Sequence, residues 1–323
     1  MNKWWKLTAS SLVAASLILT GCAEKPNSGP GNSSTSDKIK VVTSFYPMYE
    51  FTKKVAGDLA DVTVLVPAGT EPHDWEPTAK DVARISEADI FVYNGAGFES
   101  WVDSVLGTVG NKNLKVVEAS HGADLMEGVE EEGHEGHKDG DHAHDHDHGN
   151  FDPHIWLDPV LAQHEVQEIS AMLQKADPAH QAEYQKNTEA YLKELKALDQ
   201  SFQDGLKQVK SKEFVTSHTA FAYLAHRYGL KQVPIAGISP EQEPSASEMK
   251  DIVAFAKSHN VNTIFFETLV SPKVAEAVAK EVGAVTAVLN PLEGLTEEEK
   301  KSGLDYIGVM KQNLEALTKA LTK

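Results

Sequence analysis

Four short stretches of this chain place a metal-competent side chain just past an expected strand or beside a rigid turn. They are "GTEPHDWEP" around His73, "FDPHIWLDP" around His154, "VTSHTAFAYLAHRYG" around His218 and "LNPLEGLT" around Glu293. Three neutral imidazoles and one carboxylate suit tetrahedral zinc, whose nitrogen and oxygen ligands stand about 2.0–2.2 Å away. Manganese prefers more oxygen donors and a higher coordination number. Pro72 and Pro153 each precede a histidine and limit backbone freedom there, which helps fix the direction of the ligand. Asp158 and Glu76 are the expected acceptors for the second ring nitrogen of a ligand histidine. Because such sites need neutral imidazoles, zinc capture is expected to fail below about pH 6.

A second group of histidines has a different setting. Between Glu127 and His148 there are nine carboxylates, one lysine and six histidines: His134, His137, His142, His144, His146 and His148. Nothing there can form a core, so 121–150 is expected to be a disordered loop. Its histidines would gather zinc weakly at several places, beside a folded site that takes only His154. The plainer alternative is a solvated loop whose metal affinity is incidental. His164, His180, His226 and His259 sit in helical patterns or at their ends and read as solvated or locally bonded. Phe221, Tyr223 and Tyr228 read as core packing.

The elements that carry the four stretches alternate. Strand-like runs at 38–45, 61–67, 88–95 and 113–119 are separated by helical patterns at 47–57, 77–87 and 98–107. The alternation restarts with strands at 213–217, 231–237, 262–267 and 284–290 and helices at 219–228, 245–259, 272–282 and 303–321. Strands alternating with helices indicate βαβ units and parallel sheets. Two α/β lobes follow, one over 38–176 and one over 212–323. In such sheets ligands bind beyond the carboxyl ends of the strands. His73 and His154 belong to the first lobe, His218 and Glu293 to the second, so an ion held by all four lies in the cleft between them. Over 177–211, Tyr184, Tyr191, Leu195, Leu198, Phe202, Leu206 and Val209 recur at helical spacing. One helix of about 50 Å, capped by Asp177 and begun by Pro178, would join the lobes, with Gly205 as its weak point.

The N-terminal residues speak to location. Lys3 and Lys6 precede an apolar run over 7–19, then "LTGC" ends at Cys22, the only cysteine. This is the pattern of a secretory signal over 1–22, with an apolar core shorter than the roughly twenty residues a bilayer span requires. Residues 23–37 are rich in Ser, Gly, Asn and Pro and suit a flexible tether. A net charge of -18 argues against nucleic acid, whose binding needs a basic face.

"LTGC" resembles the bacterial lipobox, which implies that Cys22 is lipidated. From Lys38 to Lys323 the chain resembles the cluster A-I metal-binding lipoproteins, the substrate-binding subunits of bacterial zinc and manganese ABC importers. It is most similar to their zinc-specific, Gram-positive branch. The resemblance implies two (β/α)4-type lobes joined by a single long helix, with metal in the interlobe cleft. It carries the family's histidines onto His73, His154 and His218. Its fourth ligand falls on Glu293, with Glu267 and Glu71 as fallbacks; Asn290 stands near the place of the aspartate that manganese members use. The expected protein is therefore a monomer that captures Zn2+ and delivers it to a cognate ABC permease, lipid-anchored at the outer face of the cell membrane. Two alternatives are a manganese-importer subunit and a zinc-containing surface adhesin. A metallohydrolase is disfavoured, because a fourth protein ligand closes the position that water needs and no HExxH motif is present.

Overall fold

Among the described residues, eight short strands rich in β-branched residues build two parallel sheets. The computed structural model describes residues 38–128, 151–241 and 244–322. Cys22, the tether and the six loop histidines lie outside them. The first lobe runs β1 (Ile39–Thr43), α1 (Tyr46–Ala56), β2 (Ala60–Val64), α2 (Ala79–Ser86), β3 (Ile90–Tyr93), α3 (Val102–Thr108) and β4 (Lys115–Glu118). Its strands lie in the order β2-β1-β3-β4, all parallel, with Val41 paired to Val62 on one side and Ile90 on the other. In the central strand Val41, Val42 and Thr43 are all buried, as expected when helices cover both faces.

Two helices then cross the molecule, α4 (Pro159–Ala176) and α5 (Gln181–Leu206), and pack against each other. The second lobe repeats the first: β5 (Glu213–Thr216), α6 (Ala222–Arg227), β6 (Lys231–Pro234), α7 (Ala246–Ser258), β7 (Thr263–Phe266), α8 (Lys273–Val282) and β8 (Val285–Val288). Its order, β6-β5-β7-β8, is the same topology. Helices α9 (Glu297–Lys301) and α10 (Tyr306–Leu321) follow. Capping boxes start α2 at Thr78, α7 at Ser245 and α9 at Thr296, each satisfying otherwise unpaired backbone donors. Among the described residues no helix is long and apolar enough to cross a membrane.

The linking helix differs from the expectation of one element over 177–211. Asp177 does not cap it. That carboxylate ends α4 and accepts from the His180 ring at 2.6 Å and the Tyr184 hydroxyl at 2.8 Å. Pro178 opens a separate 3-10 turn, Pro178–His180, and α5 begins only at Gln181. At its other end α5 stops after Leu206, where the Lys212 ammonium donates to the Leu206 carbonyl. The 26 residues span about 39 Å at 1.5 Å each. Gly205 sits in the last turn, where an added Cβ would stand 3.0 Å from Leu314 of α10. Its missing side chain lets the two helices approach.

One core runs through both lobes. Phe45, Met48 and Phe51 of the first lobe, Tyr184, Leu195 and Phe202 of α5, and Phe214, Phe265, Tyr306 and Met310 of the second belong to a single buried cluster. The outer face of each sheet has its own smaller cluster, around Ile85, Phe91 and Trp101 in the first lobe and Ile252, Ile264 and Val278 in the second. Three buried clusters result, with α1, α4, α5 and α10 packed in the shared one.

Candidate metal centre

Three of the candidate ligands follow strands and His154 leads into a 3-10 turn; the backbone around each is restrained. His73 lies in the connection after β2; its N–H donates to both Glu71 carboxylate oxygens, at 3.0 and 3.1 Å. That connection reaches the second lobe, where the Gly69 N–H donates to the Leu295 carbonyl at 2.9 Å. His154 precedes a buried 3-10 turn, Ile155–Leu157. The Trp156 indole of that turn donates to the Pro291 carbonyl, and its own carbonyl accepts from the Tyr306 hydroxyl. His218 follows β5, its carbonyl held by Thr216 Oγ1 and the Gln232 amide.

Glu293 follows β8 in a turn that needs an unusual conformation. Leu292, fully buried, has φ +59°, a left-handed value that costs a non-glycine residue about 1–2 kcal/mol. Asn290 holds it there. The Asn290 side-chain oxygen accepts from the Leu292 N–H, and its amide donates to Thr268 Oγ1 and Glu299 Oε1. Asn313 bonds both backbone groups of Asn290. Asn290 is thus a brace for the turn, directed away from ligand duty by its own bonds.

These four connections bring His73, His154, His218 and Glu293 together, with one ligand atom from each lying within 4.8 Å of the others. Glu293 Oε1 stands 3.3 Å from His73 Nε2, 3.5 Å from His154 Nε2 and 3.1 Å from His218 Nε2. The Nε2 atoms of His73 and His154 are 3.3 Å apart. A tetrahedron around zinc with bonds near 2.0–2.1 Å has edges of about 3.3 Å. All four of these distances match that edge. His154, His218 and Glu293 are buried, and the His73 side chain is 8% exposed, so His73 forms the solvent side of the cluster. Phe98 packs edge-on to His73, with ring centroids 4.7 Å apart.

Two further carboxylates orient the rings. His154 Nδ1 lies 2.7 Å from Asp152 Oδ1, and His218 Nδ1 lies 2.7 Å from Glu267 Oε1. In the neutral ring that contact places the hydrogen on Nδ1 and leaves the Nε2 lone pair facing the cluster. Asp152 also accepts from the His154 N–H. The sequence-based acceptors were therefore misassigned. Asp158 caps α4 through Val160 N and pairs with Arg227, and Glu76 is exposed. Glu267 touches His218 from behind rather than completing the four. Asp152 stood unread in the same "FDPH" stretch that singled out His154.

Charge is balanced within the cluster. Burial holds His73 below its ordinary pKa. Burial opposes protonation of His154 and His218 too, but Asp152 outweighs it at the first and Glu267 with Glu293 at the second. Both are raised, His218 far above the ordinary value. Glu293 is held well below its own, because His218 and His73 outweigh the effect of its burial. Glu71, at the rim, is pushed up to about 7 by burial and by the Glu293 charge.

The other described histidines are locally bonded or exposed. His164 Nε2 meets the His121 carbonyl, His180 meets Asp177, His259 stacks on Phe255, and His226 is exposed. Phe221 is core and Tyr228 stacks on Phe202, but Tyr223 is more than packing: its hydroxyl bonds Asp152 and Met126. Of the segment expected to be a disordered loop, residues 121–128 are ordered, and Glu127 forms an antiparallel bridge with Phe151.

Comparison with known proteins places this geometry. The family model "Zinc-uptake complex component A periplasmic" matches residues 41–320. The chain is 51% identical over 320 residues to the high-affinity zinc uptake system protein ZnuA of Bacillus subtilis, covering 99% of this chain and 98% of that protein. It is 46% identical over 310 residues to the zinc-binding lipoprotein AdcA of Streptococcus pneumoniae, covering 95% of this chain but only 60% of the longer AdcA. The crystal structure of the Zn(II)-bound ZnuA-like domain of Streptococcus pneumoniae AdcA superposes with a TM-score of 0.75 at 44% identity. It covers 88% of this chain and 100% of that domain.

Proposed function

The chain belongs to the zinc-uptake complex component A family, and from that premise we propose that it captures Zn2+ outside the cytoplasm and delivers it to the permease of an ABC importer. His73, His154, His218 and Glu293 are the ligands of this reading. One observation carries it: side chains from four distant stretches present four donor atoms within 4.8 Å of one another, four of their six separations being near the edge length of a zinc tetrahedron. The three rings bind through Nε2, each neutral when the ion is held. Glu293 removes one unit of the ion's charge, which matters in so buried a site.

A shell closed by four protein side chains suits holding and release rather than activation of a bound water, so the chain is a carrier and not a hydrolase. The same shell disfavours manganese, which seeks more oxygen donors than Glu293 alone supplies. Cys22 is the proposed lipid-attachment point, supported by "LTGC" and by the lipoprotein name of the AdcA relative. The carrier acts as a monomer tethered through 23–37, with the histidine-rich 129–148 as an accessory collector.

The test joins binding to transport. Competition with a chelator should show one tight zinc site per chain. Cells lacking this protein should lose zinc uptake at low external zinc, and regain it with the intact gene but not with His218→Ala. Uptake that survives without the protein would remove the carrier role. Cys22→Ser should release the protein into the medium with zinc binding intact.

A further inference from the structure

Met126 and Asp152 face each other as an antiparallel pair next to the Glu127–Phe151 bridge. Such a pair ordinarily exchanges two backbone hydrogen bonds. Here only one is direct, Asp152 N–H to the Met126 carbonyl at 3.0 Å. In place of the other stands the Tyr223 hydroxyl. The Met126 N–H donates to it at 2.8 Å, and it donates to the Asp152 carbonyl at 2.7 Å.

Tyr223 comes from the opposite lobe. It lies in α6, which begins at Ala222 just beyond His218, and is 3% exposed. Asp152 is the residue whose carboxylate holds both the backbone N–H and the ring of His154. One hydroxyl therefore joins the arm that carries His218 to the arm that carries His154. It also acts as a spacer: without it, Met126 N–H and Asp152 C=O can meet only if the strands close together, which displaces Asp152 and the ring it orients.

We propose that Tyr223 is a positioning residue for zinc retention, its hydroxyl setting the placement of the Asp152–His154 arm against the His218 arm. This rests on the carrier reading above. The ring of Tyr223 fills core and would do so as phenylalanine; the proposal concerns the hydroxyl alone. Its loss leaves the ligand set intact and loosens the geometry, so the consequence falls on how long the ion stays.

The experiment compares the full chain with its Tyr223→Phe variant. Zinc should leave the tight site at least ten times faster in the variant, read by transfer to a colorimetric chelator. The visible bands of the cobalt(II)-loaded protein should shift, since they report the ligand geometry. The Met126 amide should exchange faster with solvent even without metal. Tyr228→Phe, which removes a hydroxyl bonded to Asp199 at 3.0 Å, should change none of these. Parental release with a parental cobalt spectrum in Tyr223→Phe overturns this proposal alone. A parent chain that holds no zinc overturns the carrier reading and this proposal together. Should the variant fail to fold, the parent decides: zinc should slow exchange at the Met126 amide, and an unchanged rate overturns the proposal.

Discussion

A histidine ring has two nitrogens, and at His154 and His218 each has an assigned task, one facing the cluster and one facing a carboxylate. His73 has no such partner behind it among the contacts that define the cluster, and leans on Phe98 and the Glu71 clamp on its backbone. Replacing any of the three with alanine should lower zinc affinity at least tenfold with the fold intact. Chelator competition and circular dichroism together check this. Glu267→Gln should cost about 10–100-fold, the usual effect of removing a carboxylate behind a ligand ring. If it costs more than His218→Ala, Glu267 is a ligand and Glu293 is not. The pH window also moves. Rings whose pKa is raised in the fold, as at His154 and His218, stabilise the zinc-free protein fully below about pH 6.5. That contribution fades as pH rises through their raised values, while zinc binds only neutral rings. Zinc-induced thermal stabilisation should therefore keep growing above pH 6.5, rather than levelling off there as unperturbed histidines would make it. Paired melting curves with and without zinc between pH 6 and 9 measure it, and a constant increment contradicts it. His73, His218 and Glu293 stood out in sequence beyond recognisable strand ends and His154 beside a proline-led turn, and the family resemblance joined the four into one set. Asp152 and Glu267 were not read correctly because their role depends on ring orientation, which spacing in sequence does not encode.

At the scale of elements, connections rather than strands shape the cluster. The 290–293 turn keeps Leu292 left-handed only while Asn290 both donates and accepts. Asn290→Asp removes two donated bonds and sets a second carboxylate against Glu299. It should destabilise the zinc-free protein by about 2–3 kcal/mol, measured by urea unfolding. An unchanged midpoint would show that the turn holds without its brace. Deleting 129–148 should remove weak zinc equivalents and leave one tight site, because His154 is fixed by residues outside that segment. Calorimetric titration decides this, and loss of the tight site would make loop histidines primary ligands. The strands were legible to within a few residues, since alternation and β-branching mark them directly. The single long helix was not, because its apolar period continues smoothly to Val209 while its ends are set by Pro178 and by bonds to α10. The 18-residue α4 passed unread; its buried Glu165 and Ser170 blur the apolar stripe that marks a helix in sequence.

For the molecule as a whole, the shared core decides how it responds to cargo. Residues of both lobes and of α5 lie in one buried cluster, so neither lobe has an inner face to itself. Calorimetry of the zinc-free protein should show a single transition rather than one per lobe. Two resolved transitions would show that the lobes melt independently. Binding that stabilises such a body stabilises all of it, by an amount set by the free zinc concentration relative to its dissociation constant. The effect should be detectable far from the ion. Proteases cut a folded chain where it opens, at a rate set by the population of the open form. The stretch between α5 and β5 has exposed lysines at 207, 210 and 212, and the Lys210 and Ser211 N–H groups are pinned to the Leu321 carbonyl. Trypsin should cleave there slowly in any state and far more slowly in the loaded one. Tryptic half-life at 207–212 would then serve as a gauge of how much of the carrier is filled.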